Sequence, residues 1–209
     1  MQKAVIFDLD GVICFTDEYH YLAWKELADR EGIYFDKQIN NRLRGVSRMA
    51  SLDIILERAE REYTPEQKQE MATAKNEAYR RLLEKMTPAD LAPETKATLE
   101  ALREKGMKLA IGSSSKNAGL ILSRIGLGGF FDAISDGNNI THSKPDPEVF
   151  VKAAQMLGLE PAECLVVEDA KAGIQAAYDG GFESAALGDA VDSPLATFKL
   201  EKFSDLLKI

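Results

Sequence analysis

The chain has 209 residues, 45% of them apolar and 29% charged, with a formal net charge of −8; it suits a core carrying a smaller insertion rather than two full domains. The acidic balance, with no basic stripe to neutralise phosphates, argues against a nucleic-acid partner, and no apolar run is long enough for a bilayer or a signal segment. Cys14 and Cys164 have no metal-binding or redox spacing, so reduced, buried thiols in a cytoplasmic protein without a membrane partner are expected.

Ala4-Val5-Ile6-Phe7 is a short apolar run that predicts a buried strand, cut at once by Asp8-Leu9-Asp10-Gly11. Two carboxylates two residues apart at the end of a buried strand repel each other and lose hydration. A divalent cation such as Mg²⁺ offers a reason for them, because it takes hard oxygen ligands. Gly11 permits a sharp turn that aims carbonyls and carboxylates at one point. A lone Asp-Gly pair would read as a polar turn; the ordered string behind an apolar strand favours phosphoryl transfer on a nucleophilic Asp.

The pattern then becomes helical. Thr16 is placed to cap a helix that opens with Asp17 and Glu18 and ends at Gly32, with His20, Trp24 and Leu27 on one face. Such a face is more often packing than ligand site, but this helix begins close to Asp8. Residues 42–51 set Arg42, Arg44 and Arg48 around Gly45, Val46, Ser47 and Ser51, and Ser47 is a candidate N-cap for a helix buried through Leu52, Ile55, Leu56 and Ala59. Guanidinium groups beside a helix start suit a phosphate clamp, and a solvated turn is equally consistent. Thr64-Pro65-Glu66-Gln67 has capping-box spacing, and on the helix it opens Lys75 lies four residues from both Met71 and Tyr79, where snorkelling is the usual explanation.

The second half alternates strand and helix. Strands are predicted at Met107–Ile111, Phe130–Ile134, Cys164–Val167 and Glu183–Leu187. The first is followed by the polar loop Gly112-Ser113-Ser114-Ser115-Lys116-Asn117. The second is followed by Ser143-Lys144-Pro145-Asp146-Pro147, with Asp146 as N-cap and Pro147 as the first helical residue. The third stops at Glu168-Asp169, with a helix from about Ala170. The expected fold is α/β, a Rossmann-like parallel sheet core over 1–15 and 86–209 with an inserted all-helical cap domain over 16–85.

Each polar cluster follows an apolar strand, and the carboxyl edge of a parallel sheet is where such folds place their sites. Asp8, Asp10, Glu168 and Asp169 bring carboxylates; Ser113 brings a hydroxyl and Lys144 an ammonium. Phosphoryl transfer to an aspartate needs this set: a nucleophile, a bridging cation and donors for the remaining oxygens. In order and spacing these clusters resemble the four motifs of the haloacid dehalogenase superfamily, across essentially the whole chain. The resemblance implies that Asp8 is the nucleophile and Asp10 the general acid/base. It implies Mg²⁺ held by Asp8, the Asp10 main-chain carbonyl and Asp169, with Glu168 beside it, and a phosphoryl group held by Ser113 and Lys144.

Within that superfamily, Glu18-Tyr19-His20 with Ala23-Trp24-Lys25, Leu43-Arg44-Gly45-Val46-Ser47-Arg48, Lys75-Asn76 and Ser113–Asn117 resemble the β-phosphoglucomutase family. This resemblance implies substrate contacts from His20, Trp24, Gly45, Val46, Ser47, Arg48, Ser51 and Lys75 of the cap, with Arg48 on the phosphate not being transferred. From the core it implies Ser114, Ser115, Lys116 and Asn117. It further implies a monomer acting on a small phosphosugar, with glucose 1,6-bisphosphate as activator and intermediate. Phe15 stands where that family has Asp, and Arg44 where Lys is more usual. A sugar-phosphate phosphatase shares the core motifs and differs by letting water attack the aspartyl phosphate. A metal-binding or regulatory relic of the fold is the non-enzymatic alternative, less favoured because no catalytic position is lost, and absence of Mg²⁺-dependent turnover would revive it.

Overall fold

The computed structural model describes residues 2–43 and 46–209. Among them, β1 (Ala4–Phe7), β2 (Lys108–Gly112), β3 (Ala133–Ser135), β4 (Cys164–Glu168), β5 (Glu183–Ala186) and β6 (Phe198–Lys199) form one sheet in the order β3-β2-β1-β4-β5-β6. Every neighbouring pair is parallel. A parallel sheet is covered on both faces, so its strands read as continuous apolar runs rather than alternating ones. β1 fits that rule: all four of its residues are buried, and Ile6 lies level with Ala110 on one side and Val166 on the other.

Helices cover the sheet. α7 (Glu148–Leu157) and α8 (Lys171–Asp179) bring Val149, Phe150, Ala153, Ala176 and Ala177 against Ala4, Ile6, Ala110 and Val166. A Cβ at Gly112 would lie 2.6 Å from the Phe150 ring, so this strand-end glycine makes room for the aromatic. Phe7 meets Phe131 edge-on and Phe203 at a tilt, with centroids 6.3 and 5.7 Å away. α5 (Pro93–Glu104) runs beside the closing 3-10 turn Phe203–Lys208, and α6 (Ala118–Arg124) follows β2.

By its internal contacts the chain divides into two compact units, Met1–Phe15 with Thr87–Ile209, and Thr16–Met86. In the described residues the second unit is helical: α1 (Asp17–Glu31), α2 (Lys37–Asn41), α3 (Arg48–Leu56) and α4 (Pro65–Leu83). Trp24, Leu27, Ala28, Phe35, Ile39, Leu52, Ile55 and Met71 form its core. Among the described residues no helix is long and apolar enough to cross a membrane.

Several local expectations shift. Phe130 and Phe131 precede β3 rather than belonging to it, because the Phe130 N–H turns back to Leu127 O and the Arg103 guanidinium stacks on the Phe130 ring. Pro147 takes the cap position of α7, one residue later than expected, although Asp146 Oδ1 still accepts from Glu148 N–H at 2.9 Å. Thr16 occupies the cap position of α1 without making a capping hydrogen bond; its hydroxyl oxygen accepts from Tyr79 OH at 3.1 Å. The Thr64–Gln67 capping box forms as the spacing predicts.

Candidate active site

Asp8 extends the ladder one step beyond β1, its N–H donating to Val167 O at 2.9 Å. The chain then closes tightly, with Ile13 and Cys14 N–H both donating to Leu9 O and Gly11 N–H to Cys14 O. Asp10 lies within that turn, bridged to Cys14. Gly11 has φ +90°, a backbone region open to glycine, and a Cβ there would stand 2.0 Å from Asp169 Oδ2. The glycine therefore does two jobs: it turns the chain and admits a carboxylate from the end of β4. Gly173 plays the same part for Glu168, since a Cβ at 173 would fall 2.0 Å from Oε1. Glu168 Oε2 is further fixed by Ala170 N–H at 2.8 Å.

Lys144 is the positive centre of this edge. Its Nζ donates to Asp8 Oδ1 and Glu168 Oε1, each at 2.5 Å, and lies 4.7 Å from the Phe150 ring centroid. Burial alone would lower the Lys144 pKa, but the two facing carboxylates outweigh it and hold the ammonium above its ordinary value. Glu168 shows the converse: burial raises its carboxyl, and Lys144 only partly offsets that. Such a buried pair is retained where each charge has its partner and is costly to break.

The β1–β2 register, Phe7 level with Ile111, brings Ser113 to the same edge. Ser113 is buried, and its Oγ accepts from Ser115 N–H at 3.2 Å, which leaves the hydroxyl proton to donate elsewhere. Ser115 Oγ repeats the turn with Asn117 N–H at 3.2 Å. Asn117 is buried, Lys116 is exposed, and Ser114 Oγ is buried without a partner among the described residues.

The helical unit holds a second cluster. Lys75 is 3% exposed, so it does not snorkel as the spacing suggested. Its Nζ lies 2.9 Å from His20 Nδ1 and 4.6 and 4.7 Å from the Trp24 and Tyr79 ring centroids. The His20 ring stacks on Tyr79 at 4.0 Å. Burial, then the charges of Lys75 and Arg48, holds His20 well below its ordinary pKa, so the imidazole is neutral. An ammonium only donates, so Nδ1 is the acceptor and Nε2 carries the proton. Arg48 Nη2 donates to Asn76 Oδ1 at 2.9 Å. Ser47 Oγ caps α3 through Ala50 N–H, Ser51 is buried in the same helix, and Val46 N–H turns back to Leu43 O. Arg42 is taken up by a bidentate pair with Glu57, so it adds nothing to a clamp; Arg44 and Gly45 lie outside the described residues.

The family model for haloacid dehalogenase-like hydrolases matches residues 2–181. The chain belongs to this family. It is 44% identical over 206 residues to a β-phosphoglucomutase of Bacillus subtilis, covering 98% of this chain and 91% of the relative. It is 33% identical to a fructose-1-phosphate phosphatase of Escherichia coli, covering 86% and 93%. The structure of a β-phosphoglucomutase from Clostridium difficile superposes with a TM-score of 0.92 at 37% identity, covering 99% of this chain and 93% of that one.

Haloacid dehalogenase-family chemistry calls for a divalent cation, and the donor set here fits one. Asp8, Glu168 and Asp169 each offer a ligand oxygen, all within 4.8 Å of one another. Three carboxylates against the single ammonium of Lys144 leave an excess of negative charge on hard oxygen ligands, the environment that suits Mg²⁺. Phe150 and Gly173 were not marked by motif or spacing. The one available signal was a glycine in the first turn of a helix, where it lowers helix propensity and so needs a packing reason.

Proposed function

We propose that the protein is a Mg²⁺-dependent phosphosugar mutase that converts β-glucose 1-phosphate to glucose 6-phosphate. The observation that carries this reading is the buried Asp8–Lys144–Glu168 array with Asp169 beside it. Identity to a β-phosphoglucomutase across 98% of the chain supports a mutase over the phosphatases of the same family. The helical unit adds support: it brings two cationic groups, Lys75 beside His20 and Arg48 beside Asn76, and a second phosphate calls for cationic groups.

In this mechanism Asp8, carrying the phosphoryl group, gives it to the 6-hydroxyl of β-glucose 1-phosphate, while Asp10 takes the hydroxyl proton. The resulting 1,6-bisphosphate, also the activator that primes Asp8, presents its other end. Its C1 phosphoryl passes to Asp8, Asp10 returns a proton to the departing oxygen, and glucose 6-phosphate leaves. Lys144 and the free hydroxyl proton of Ser113 hold the phosphoryl oxygens, and Glu168 keeps the Lys144 ammonium aimed at them. Asp8, the Asp10 carbonyl and Asp169, with Glu168 beside them, would hold Mg²⁺, which would supply positive charge to offset the repulsion between the nucleophile and those oxygens. His20, Trp24, Val46, Ser47, Ser51 and Lys75 contact the sugar phosphate, as does Gly45, and Arg48 takes the phosphate not in transfer. Ser114, Ser115, Lys116 and Asn117 meet it from the core. We read the protein as a cytoplasmic monomer.

One assay separates mutase from phosphatase. With β-glucose 1-phosphate, Mg²⁺ and a trace of the 1,6-bisphosphate, glucose 6-phosphate is expected to form faster than free phosphate. If inorganic phosphate dominates, the mutase reading fails and the phosphatase stands.

A further inference from the structure

The segment Ser135–Asn139 has no part in the mechanism above, yet it holds the loop that does. Past the last paired residues of β2 and β3, Gly112 and Ser135, the ladder continues as loop against loop. Ser113 N–H donates to Ser135 O at 3.0 Å, Gly137 N–H to Ser115 O at 3.1 Å, and Asn138 Nδ2 to Lys116 O at 3.0 Å. A Cβ at Gly137 would stand 2.5 Å from Ser114 O and 3.0 Å from Lys116 N, so the two backbones touch directly there.

The brace is itself fixed. Asp136 accepts from both Asn138 N–H, at 2.9 Å, and Asn138 Nδ2, at 3.1 Å, which sets the direction of that amide. Asn139 Oδ1 accepts from Asp136 N–H and Ser135 Oγ, and its Nδ2 donates to Ile134 O. Asn139 O accepts from Lys152 Nζ, and Lys152 pairs with Glu148 at 2.7 Å. Glu148 Oε2 in turn takes the Thr141 and His142 N–H groups at 2.8 and 2.6 Å, directly before Lys144. A single hydrogen-bonded strip thus runs from the Ser113–Asn117 loop to the Lys144 loop.

We infer that Gly137 and Asn138 are positioning residues that fix the peptide Ser114–Lys116 for the sugar phosphate, an inference that rests on the phosphosugar reading above. Phosphorylation of Asp8 by a small donor needs Asp8, Ser113 and Lys144; gripping the sugar phosphate also needs Ser115, Lys116 and Asn117. Loss of the brace should therefore separate two reactions that share a nucleophile. In the first, acetyl phosphate gives its phosphoryl group to the Asp8 carboxylate and acetate leaves. In the second, β-glucose 1-phosphate turns over.

The test compares wild type, Gly137→Ala and Asn138→Ala in the presence of Mg²⁺. Expected are a KM for β-glucose 1-phosphate raised by about 3- to 10-fold, the loss that goes with one unmade hydrogen bond, and acetyl phosphate labelling of Asp8 within about twofold of wild type. Amide hydrogen exchange over 113–117 should quicken while exchange over 164–168 does not. Asn138 is exposed, so its alanine variant keeps the test alive if Gly137→Ala fails to fold. Unchanged KM and unchanged exchange in Asn138→Ala would overturn the inference. So would equal losses in both reactions accompanied by a lower Tm, which mark general destabilisation. If wild type turns over no phosphosugar, the mutase reading falls separately; exchange over 113–117 then decides whether the brace exists.

Discussion

Lys144→Met removes a charge and keeps most of the volume, so it isolates the electrostatic contribution of the buried array. The Lys144 side chain is 3% exposed and its partners Asp8 and Glu168 are 10% and 1% exposed, so solvent screens these pairs little. Removing one partner of a buried ion pair costs about 3–5 kcal/mol, because the other charge is left uncompensated. For a chain of this length, about 2–4 °C of Tm goes with each kcal/mol, giving a fall of roughly 6–20 °C. The deficit should depend on pH. A carboxyl deprived of Lys144 has a folded-state pKa above its unfolded value of about 4.3, so it binds its proton more tightly when folded. The stability that proton brings is present below the unfolded pKa and is lost as pH rises through the folded one. Thermal unfolding in EDTA should therefore show a wider gap between wild type and variant at pH 8 than at pH 6, and Mg²⁺ should narrow it at pH 8. A fall of less than about 2 °C at pH 8, or the same fall at both pH values, would refute the reasoning.

Asp8→Asn should fold normally and take up no covalent phosphate; labelling at the wild-type rate would remove Asp8 as nucleophile. Gly11→Ala meets both a positive φ and the Asp169 carboxylate, so the Mg²⁺ concentration for half-maximal activity should rise at least about tenfold, with a stability loss of about 1–2 kcal/mol. An unchanged Mg²⁺ titration would show that Asp169 does not depend on that glycine. His20 is held neutral, with its folded pKa below the unfolded value of about 6.5. Its contribution is complete above pH 6.5 and is lost as pH falls through the folded pKa. Between pH 6.5 and 5 wild type should lose up to about 1.4 kcal/mol per pH unit more than His20→Gln in urea unfolding; parallel curves would sink the assignment.

The core site was legible because apolar strands are abruptly cut by polar strings, and β1, β2 and β4 deliver those strings to one edge. What escaped was set by contacts remote in sequence or by elements too short to carry a period. β6 is two residues long, and α2 has five, held by the Asp36 cap and the burial of Ile39 and Asn40. Lys75 looked like an ordinary amphipathic lysine because its spacing to Met71 and Tyr79 says nothing of His20, which lies 55 positions away. Phe150 sits on an amphipathic helix as any core aromatic would, and only the room left by Gly112 gives it access to Lys144. In residues 42–51 the sequence left clamp and turn level; Glu57 withdraws Arg42, and Arg48 remains with Asn76.

The sheet order carries a consequence for how the molecule is made. β1 is the first strand to be synthesised, yet its partners are β2, more than a hundred residues later, and β4, later still. Closing such distant pairings is slow, because chain entropy is lost before the contacts form. The helical unit, by contrast, is one continuous stretch, Thr16–Met86, so even its pairing of first helix with last, α1 with α4, closes over a shorter separation than β1 with β2. On the ribosome the helical unit can therefore consolidate while Ala4–Phe7, the most apolar part of the nascent chain, still waits for a partner. Its aggregation hazard ends only when Cys164–Glu168 has emerged. The strand that leads into Asp8 thus becomes stable at the moment Glu168 and Asp169 become available, and no earlier intermediate holds a complete array of charges.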